Sequence, residues 1–273
     1  MAVRLFEGKE HAAAYFQYRP TPDELIPVII GYMEEKKSDR FNLAVDVGCG
    51  SGQGTRLLAP YFTKVVGTDI SPAQLEMATT NDNPPNVSYR QSPAEELLFS
   101  SNEVDLVTAM TAAHWFNHQR FLQEADRVLR PGGCLAILSY TMDMELEYGD
   151  ISDMLNKICE ECYEALLPFW SPCLGANTIK IYSEMYDSCS YNDKVWNDCM
   201  RIRRMMPLKN FIGIVQSFSM YQLMKQNDAA EAQRVSSDLT NKLLCAMSTS
   251  SLDTEVTVVM KYISWMACKP RSL

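Results

Sequence analysis

The composition of the chain is marked by several absences. No stretch approaches the ~18 uncharged apolar residues that a membrane-spanning helix needs, and the first residues lack the apolar core of a signal peptide. Lysine and arginine total 25 against 34 aspartates and glutamates, a net charge of −9, whereas phosphate binding draws on clustered positive charge. Internal repeats and low-complexity linkers are also missing. We therefore expect a cytoplasmic protein with no membrane partner and no nucleic-acid partner.

The cysteines form no pattern typical of a disulfide framework or a metal centre. Nine of them, an odd number, are scattered among methionines and acidic residues, as in proteins with reduced thiols. Cys159 and Cys162 have the spacing of two metal ligands, but no second pair and no histidine lie close to them in the sequence. Because a structural zinc needs four ligands, we predict no metal site.

The most informative segment is a glycine-rich loop that follows a short apolar run. Leu43–Val47 is typical of a buried strand, and glycine then occupies every second position, at Gly48, Gly50 and Gly52. Glycine lets a loop turn sharply and lets a ligand approach the backbone. A helix is predicted to begin near Gln53, with its first N–H groups directed at the ligand.

Residue spacing excludes two common nucleotide-binding loops. A G-x-G-x-x-G dinucleotide loop needs a third glycine where this chain has Gln53 or Thr55, and no Gly-Lys-Ser/Thr of a P-loop follows. Two acids remain: Asp46, two residues before the first glycine, and Asp69, which closes the next apolar run. A carboxylate at the end of a second strand can accept hydrogen bonds from both hydroxyls of a ribose.

Strand-like and helix-like segments alternate as a parallel α/β sheet requires. The predicted strands are Leu43–Val47, Lys64–Asp69, Val87–Arg90, Val104–Ala109 and Cys134–Tyr140, separated by helices near 53–60, 72–80 and 117–129. Beyond Tyr140 the pattern is mostly helical until an alternating strand pattern returns at Glu255–Cys268. We predict a Rossmann-like, doubly wound α/β sheet with a late antiparallel strand and a helical cap. The expected divisions are an N-terminal helical lid segment (1–40), the cofactor-binding core (41–140), a helical cap with return to the core sheet (141–254) and the final strand (255–273).

Three motifs resemble those of the class I S-adenosylmethionine-dependent methyltransferases. Val45–Gly52 is similar to their glycine loop, Gly67–Ser71 to their ribose-binding strand end, and Arg127–Gly133 to the turn before their fifth strand. Other stretches resemble the trans-aconitate methyltransferase-like branch, which includes small-acid carboxyl methyltransferases: Tyr15–Pro20, Pro93–Leu97 with Ala113–Asn117, and Ser217–Tyr221. The resemblance implies S-adenosylmethionine as the cofactor and S-adenosylhomocysteine as its product.

The resemblance also implies roles for residues around the cofactor. Asp46 is expected to meet the ammonium group of the methionyl part, directly or through water, Asp69 the ribose hydroxyls and Ile70 the adenine face. Ala94 and Glu95 are expected at the adenine edge. The alternatives are that Asp69 caps a helix and that Glu95 is a solvated residue at a helix start. The predicted cofactor-binding residues are Asp46, Gly48, Cys49, Gly50, Gly52, Asp69, Ile70, Ala94, Glu95 and Thr111.

Two aromatic side chains follow the fourth predicted strand, at the edge where doubly wound sheets bind ligands. His114 is a candidate general base or a donor that orients the methyl acceptor, and Trp115 a candidate pocket wall. The alternative is that both fill the junction between helix and sheet. A carboxylate acceptor is already ionised at neutral pH, so positioning rather than a base would carry catalysis.

The acceptor site is predicted from the N-terminal segment and the cap. In relatives the N-terminal region folds over the cofactor, and Arg19 could bind a carboxylate through its planar guanidinium. A helix on the outer face of the domain is the alternative. The predicted substrate-binding residues are Tyr15, Tyr18, Arg19, His114, Trp115, Ser217 and Tyr221.

The favoured function is methyl transfer to a small molecule, through O-methylation of a carboxylic acid. The alternatives are N-, S- or C-methylation of another small metabolite and a non-catalytic, cofactor-binding regulatory protein. An intact glycine loop with both acids favours the enzyme. We expect the protein to be a monomer or a homodimer.

Overall fold

The computed structural model describes residues 17–19, 21–36, 41–169 and 178–271. Its strands are β1 (Phe41–Val47), β2 (Phe62–Asp69), β3 (Val87–Gln91), β4 (Val104–Met110), β5 (Leu129–Tyr140), β6 (Glu145–Glu147), β7 (Asp193–Pro207) and β8 (Glu255–Cys268). Its helices are α1 (Ile26–Lys36), α2 (Gln53–Leu58), α3 (Pro72–Thr80), α4 (His118–Val128), α5 (Ser152–Leu166), α6 (Thr178–Ser188), α7 (Leu208–Gln216), α8 (Ser219–Asn227) and α9 (Ala229–Ala246).

The eight strands form one sheet in the order β3-β2-β1-β4-β5-β8, with β7 on the outer edge of β8 and the short β6 beside its inner edge. Strands β1 to β5 are parallel, and β8 is antiparallel to both β5 and β7. The predicted doubly wound α/β sheet with a late antiparallel strand is confirmed. β1 and β4 are almost wholly buried, because helices cover both faces of a parallel sheet.

Alternate residues of β1 belong to two separate apolar clusters, one on each face of the sheet. Val45 packs with α4 and α6, through side chains such as Phe121 and Tyr182. Ala44 packs in the cluster that contains α1 and the cap helices α5, α7, α8 and α9. The three helices α7 to α9 confirm the helical pattern of the cap. None of the helices among the described residues has the length and apolarity needed to cross a bilayer.

The long edge strand β7 has no counterpart in the sequence prediction. Its Arg201 and Arg203 form ion pairs with Glu145 and Glu147 of β6. Charged side chains are common on edge strands, where they prevent further strand pairing. Segment 193–207 therefore lacks the apolar run or clean alternation by which the other strands are predicted.

The N-terminal segment divides into two parts. Helix α1 packs against β5 and β8 and buries Ile29 and Met33 in the core, so it is a layer of the domain. Residues 17–19 lie instead against the cap. Tyr18 meets Gly213 there, and Arg19 donates to the Ser217 carbonyl.

Candidate active site

The loop between β1 and α2 depends on glycine. Gly48, Gly50 and Gly52 have φ values of 68°, 53° and 77°, the left-handed region that side chains disfavour. A Cβ on Gly48 would lie 2.6 Å from the Cβ of Ala112, and one on Gly52 would lie 2.2 Å from the Tyr89 hydroxyl. The loop is thus confined between the residues that follow β4 and the side of β3.

Asp69 is fixed beside this loop at the carboxyl end of β2. Its Oδ2 accepts the Gly50 N–H and its Oδ1 accepts the Ser71 N–H, both at 2.8 Å. Burial raises the pKa of Asp69, and the hydrogen bonds from Ser71 and Gly50 partly offset that rise. A carboxylate oxygen can accept more than one hydrogen bond, so these contacts orient Asp69 and still allow it to accept from ribose hydroxyls.

The neighbours of Asp69 agree with a nucleoside site. Helix capping was the alternative role predicted for Asp69. Ser71 supplies the side-chain cap of α3 instead, because its hydroxyl accepts the Gln74 N–H at 3.3 Å. Ile70 is 46% exposed, which leaves an apolar surface next to the carboxylate. Ser51 is buried, and within the described residues its hydroxyl has no hydrogen-bond partner. These features suit the adenosyl and methionyl parts of S-adenosylmethionine.

Asp46 lies beneath the loop, with an exposed fraction of only 1%. Its two oxygens accept hydrogen bonds from the hydroxyls of Thr55 at 2.6 Å and Thr108 at 3.0 Å. Burial raises the pKa of Asp46 to about 6, against the lowering effect of these two hydrogen bonds. The carboxyl group therefore ties α2 and β4 to β1. Asp46 is expected from the sequence to meet the cofactor ammonium group either directly or through water. Its buried position favours contact through water.

The remaining predicted cofactor residues frame the same edge of the sheet. Cys49 donates its N–H to the Thr68 carbonyl at 2.9 Å, which ties the loop to β2. Glu95 accepts the Asn117 N–H at 2.6 Å and so joins the loops that follow β3 and β4, while Ala94 is buried beside it. Thr111 has a φ of 57°, a conformation that is costly for a β-branched residue.

His114 lies on a short 3-10 turn, Ala113–Trp115, directly after Thr111. Its Nδ1 is 3.0 Å from the hydroxyl of Tyr182, a fully buried residue of α6, and its ring lies 5.1 Å from that of Trp115. Burial lowers the pKa of His114 to about 3, and the positive charge of Arg19 acts in the same direction. The imidazole is therefore neutral at physiological pH.

Arg19 bridges the core and the cap. Its Nη1 donates to the Tyr140 hydroxyl at the end of β5, and its Nη2 donates to the Ser217 carbonyl at 3.1 Å. The guanidinium carbon lies 4.9 Å from the centre of the Phe218 ring. Its positive charge also contributes to the lowered pKa of His114.

The other predicted acceptor residues divide between the contact of core and cap and the cap interior. Tyr18 packs on Gly213 of α7, where a Cβ would lie 2.4 Å from its ring, so residues 18 and 19 lie between core and cap rather than on the outer face. The Ser217 hydroxyl donates to the Ile214 carbonyl at 2.6 Å, and Tyr221 is buried in the cap core. Of these two residues, Ser217 contacts Arg19, through its backbone carbonyl. Tyr15 lies outside the described residues.

Comparison with known proteins identifies the class that this fold and site define. The family described as "Methyltransferase domain" matches residues 45–137. A Dictyostelium discoideum protein named as a methyltransferase is 35% identical over 76% of this chain and 74% of its own length. A Saccharomyces cerevisiae protein named as an S-adenosylmethionine-dependent methyltransferase is 34% identical over 53% of this chain and 50% of its own length.

The comparison with solved structures agrees at the level of the fold. The superposition with the structure of a type II methyltransferase from Anaeromyxobacter dehalogenans spans 93% of this chain and 100% of the other chain, with a TM-score of 0.72 and 22% sequence identity. The chain belongs to the S-adenosylmethionine-dependent methyltransferase family, and the class I resemblance of its motifs is confirmed.

Proposed function

We propose that the protein transfers a methyl group from S-adenosylmethionine to an oxygen of a small carboxylic acid, in keeping with its resemblance to the trans-aconitate methyltransferase-like branch. The observation that carries the proposal is the position of Arg19. Its positive charge lies between the end of β5 and the cap and acts on His114, which follows β4. A carboxylate bound beside Arg19 would be attracted by the guanidinium.

The chemistry needs little from the protein beyond binding and alignment. S-adenosylmethionine, when bound, supplies an electrophilic methyl group on a sulfonium. The glycine loop and Asp69 would hold the methionyl and ribose parts. A carboxylic acid with a pKa near ~4 is ionised at neutral pH and can attack without losing a proton to a base. Arg19 and neutral His114 would hold the attacking oxygen in line, and such alignment is itself a large source of rate.

Tyr182 is the residue that would keep His114 in this role. A phenol hydroxyl donates a hydrogen bond more readily than it accepts one, so contact with Nδ1 favours the tautomer that carries its proton on Nε2. His114 would then present an N–H donor to the acceptor. This arrangement supports orientation of an anionic oxygen rather than removal of a proton.

The test is a screen with methyl-labelled S-adenosylmethionine against di- and tricarboxylic acids, amines, thiols and phenols. Methyl esters release methanol in mild base, whereas methylamines, thioethers and methyl ethers do not. The proposal expects label in a base-labile product from one of the acids. Label only in base-stable products would replace it with N-, S- or C-methylation or with O-methylation of a phenol. Cofactor binding without turnover of any acceptor would favour a regulatory protein.

A further inference from the structure

Two cysteines face each other across the antiparallel pair of β5 and β8. Cys134 of β5 is paired with Cys268 of β8. Next to them, Lys269 donates its N–H to the Gly133 carbonyl and accepts the Gly132 N–H, both at 2.9 Å. The cysteines therefore occupy the adjoining, non-hydrogen-bonded position of the ladder. Opposing Cα atoms lie ~4.5 Å apart there, within the range that a disulfide spans.

The two thiols are free, and the strand register places them opposite each other. The Cys268 thiol donates to the Lys269 carbonyl at 3.7 Å. The proximity of the two thiols lowers the pKa of Cys268 and raises that of Cys134. Burial opposes the lowering at Cys268, whereas the positive charges of Lys36 and Arg271 favour its thiolate. Asp193, at the start of β7, acts in the opposite direction. Cys268 is thus the more acidic of the pair and the one disposed to react first.

The pair lies away from the candidate active site and is reachable only by small molecules. Cys134 is in register with Leu106 of β4 and, through it, with Ala44 of β1, whereas the glycine loop begins beyond the end of β1. Cys134 is 2% exposed and Cys268 is 8% exposed. A bulky disulfide reagent would need the strands to separate, but a molecule the size of water would not.

We propose that Cys134 and Cys268 form an oxidative modification site, which hydrogen peroxide converts to a cross-strand disulfide. The Cys268 thiolate attacks one peroxide oxygen, so that an S–O bond forms, the O–O bond breaks and hydroxide leaves. The sulfur of Cys134 then attacks the sulfenic sulfur of Cys268, the S–O bond breaks, and the proton of Cys134 leaves with the second oxygen in water. Two thiols are oxidised by two electrons, and one peroxide is reduced to two waters.

Tryptic digestion offers a direct assay, because each cysteine falls on its own peptide. Proline follows Arg130 and Lys269 and blocks cleavage there, which leaves peptides 128–157 and 262–271 with one cysteine each. After treatment with hydrogen peroxide and alkylation under denaturing conditions, the two peptides should be joined in the unreduced digest and separate after reduction. The oxidised protein should also unfold at a temperature roughly 5–10 °C higher, since the disulfide spans half the chain.

Three variants make the result specific. Cys268→Ser and, independently, Cys134→Ser should each abolish both the joined peptides and the thermal shift. Cys189→Ser removes a buried cysteine of similar exposure, 7%, and should leave both unchanged. The proposal is overturned if the two peptides remain separate and alkylated at a peroxide dose that already oxidises the exposed Cys199. An equal thermal shift in Cys268→Ser would do the same.

Discussion

Replacement of Asp46 by asparagine should stabilise the cofactor-free protein at neutral pH. The carboxyl group is 1% exposed, and burial raises its pKa from an ordinary value of 3.8 to about 6. Asparagine has the same shape and can accept a hydrogen bond from one threonine hydroxyl while donating to the other. It therefore keeps the contacts to Thr55 and Thr108 without placing a charge in the interior.

The expected magnitude follows from proton binding. Between pH 3.8 and about 6 the folded state holds more protons at Asp46 than the unfolded state, so ionisation of Asp46 costs stability as the pH rises. At ~1.36 kcal/mol for each pH unit between the two pKa values, the cost is about 3 kcal/mol above pH ~7 and roughly half of that at pH ~5. Asp46→Asn removes this cost.

Urea unfolding of wild type and Asp46→Asn without cofactor, at pH values from 5 to 7.5, measures the effect. The stability difference in favour of the variant should grow by about 1.5 kcal/mol over that range. Asp187→Asn, at an exposed position of α6, is the control and should follow the wild type. A difference that stays constant or shrinks as the pH rises would refute the reasoning. The variant should also bind S-adenosylmethionine more weakly, because it lacks the negative charge beneath the loop.

Three further predictions concern the bound state. Asp69→Ala should weaken S-adenosylmethionine binding by ~1.5–3 kcal/mol in calorimetry, through loss of charge-assisted hydrogen bonds to the ribose. Arg19→Met should raise the KM for the acid acceptor and leave cofactor affinity nearly unchanged. His114→Asn should lower kcat by ~10-fold or less, because asparagine keeps much of the hydrogen-bonding role. Loss of a working general base would typically cost ~100-fold or more. At saturating S-adenosylmethionine the wild-type rate should show no rise through pH ~6–7, since the pKa of His114 is about 3 and a carboxylate acceptor is already ionised.

Each of these outcomes has a clear opposite. Equal cofactor affinity in wild type and Asp69→Ala would remove Asp69 from the cofactor site. Unchanged constants in Arg19→Met would make Arg19 structural and leave the acid acceptor without its cation. A pH–rate profile that rises near pH ~6.5 and is lost with most activity in His114→Asn would point to a hydroxyl, amine or thiol acceptor.

The parts predicted well from the sequence are those whose signals are local. Between Leu43 and Asp69 lie the buried strand, the three alternate glycines and the acid that ends the next strand. Each has a direct stereochemical reason, so the sequence predicts both the loop and the position of Asp69 at the strand end. The parallel strands β1, β2, β4 and β5 are recovered because burial on both faces demands apolar runs, whereas β3, a partly exposed edge strand, is recovered without one. β7 is missed because an edge strand satisfies a weaker pattern.

The parts that sequence reasoning missed depend on contacts between distant segments. Tyr182 meets His114 across 68 residues, and nothing near residue 182 signals that partnership. Tyr140 meets Arg19 across 121 residues. Thr108 is the exception, because a hydroxyl in a buried strand needs a partner and could have been matched with Asp46.

The left-handed backbone of Thr111 has a consequence for the directed evolution of this protein. A β-branched residue in that conformation stores free energy on the order of 1–3 kcal/mol, which glycine would release. Selection for heat resistance alone would therefore reward replacement of Thr111, three residues before His114. A library screened first for thermostability would therefore lose the active variants that retain Thr111. A library screened first for turnover would keep Thr111, although its backbone conformation lowers stability.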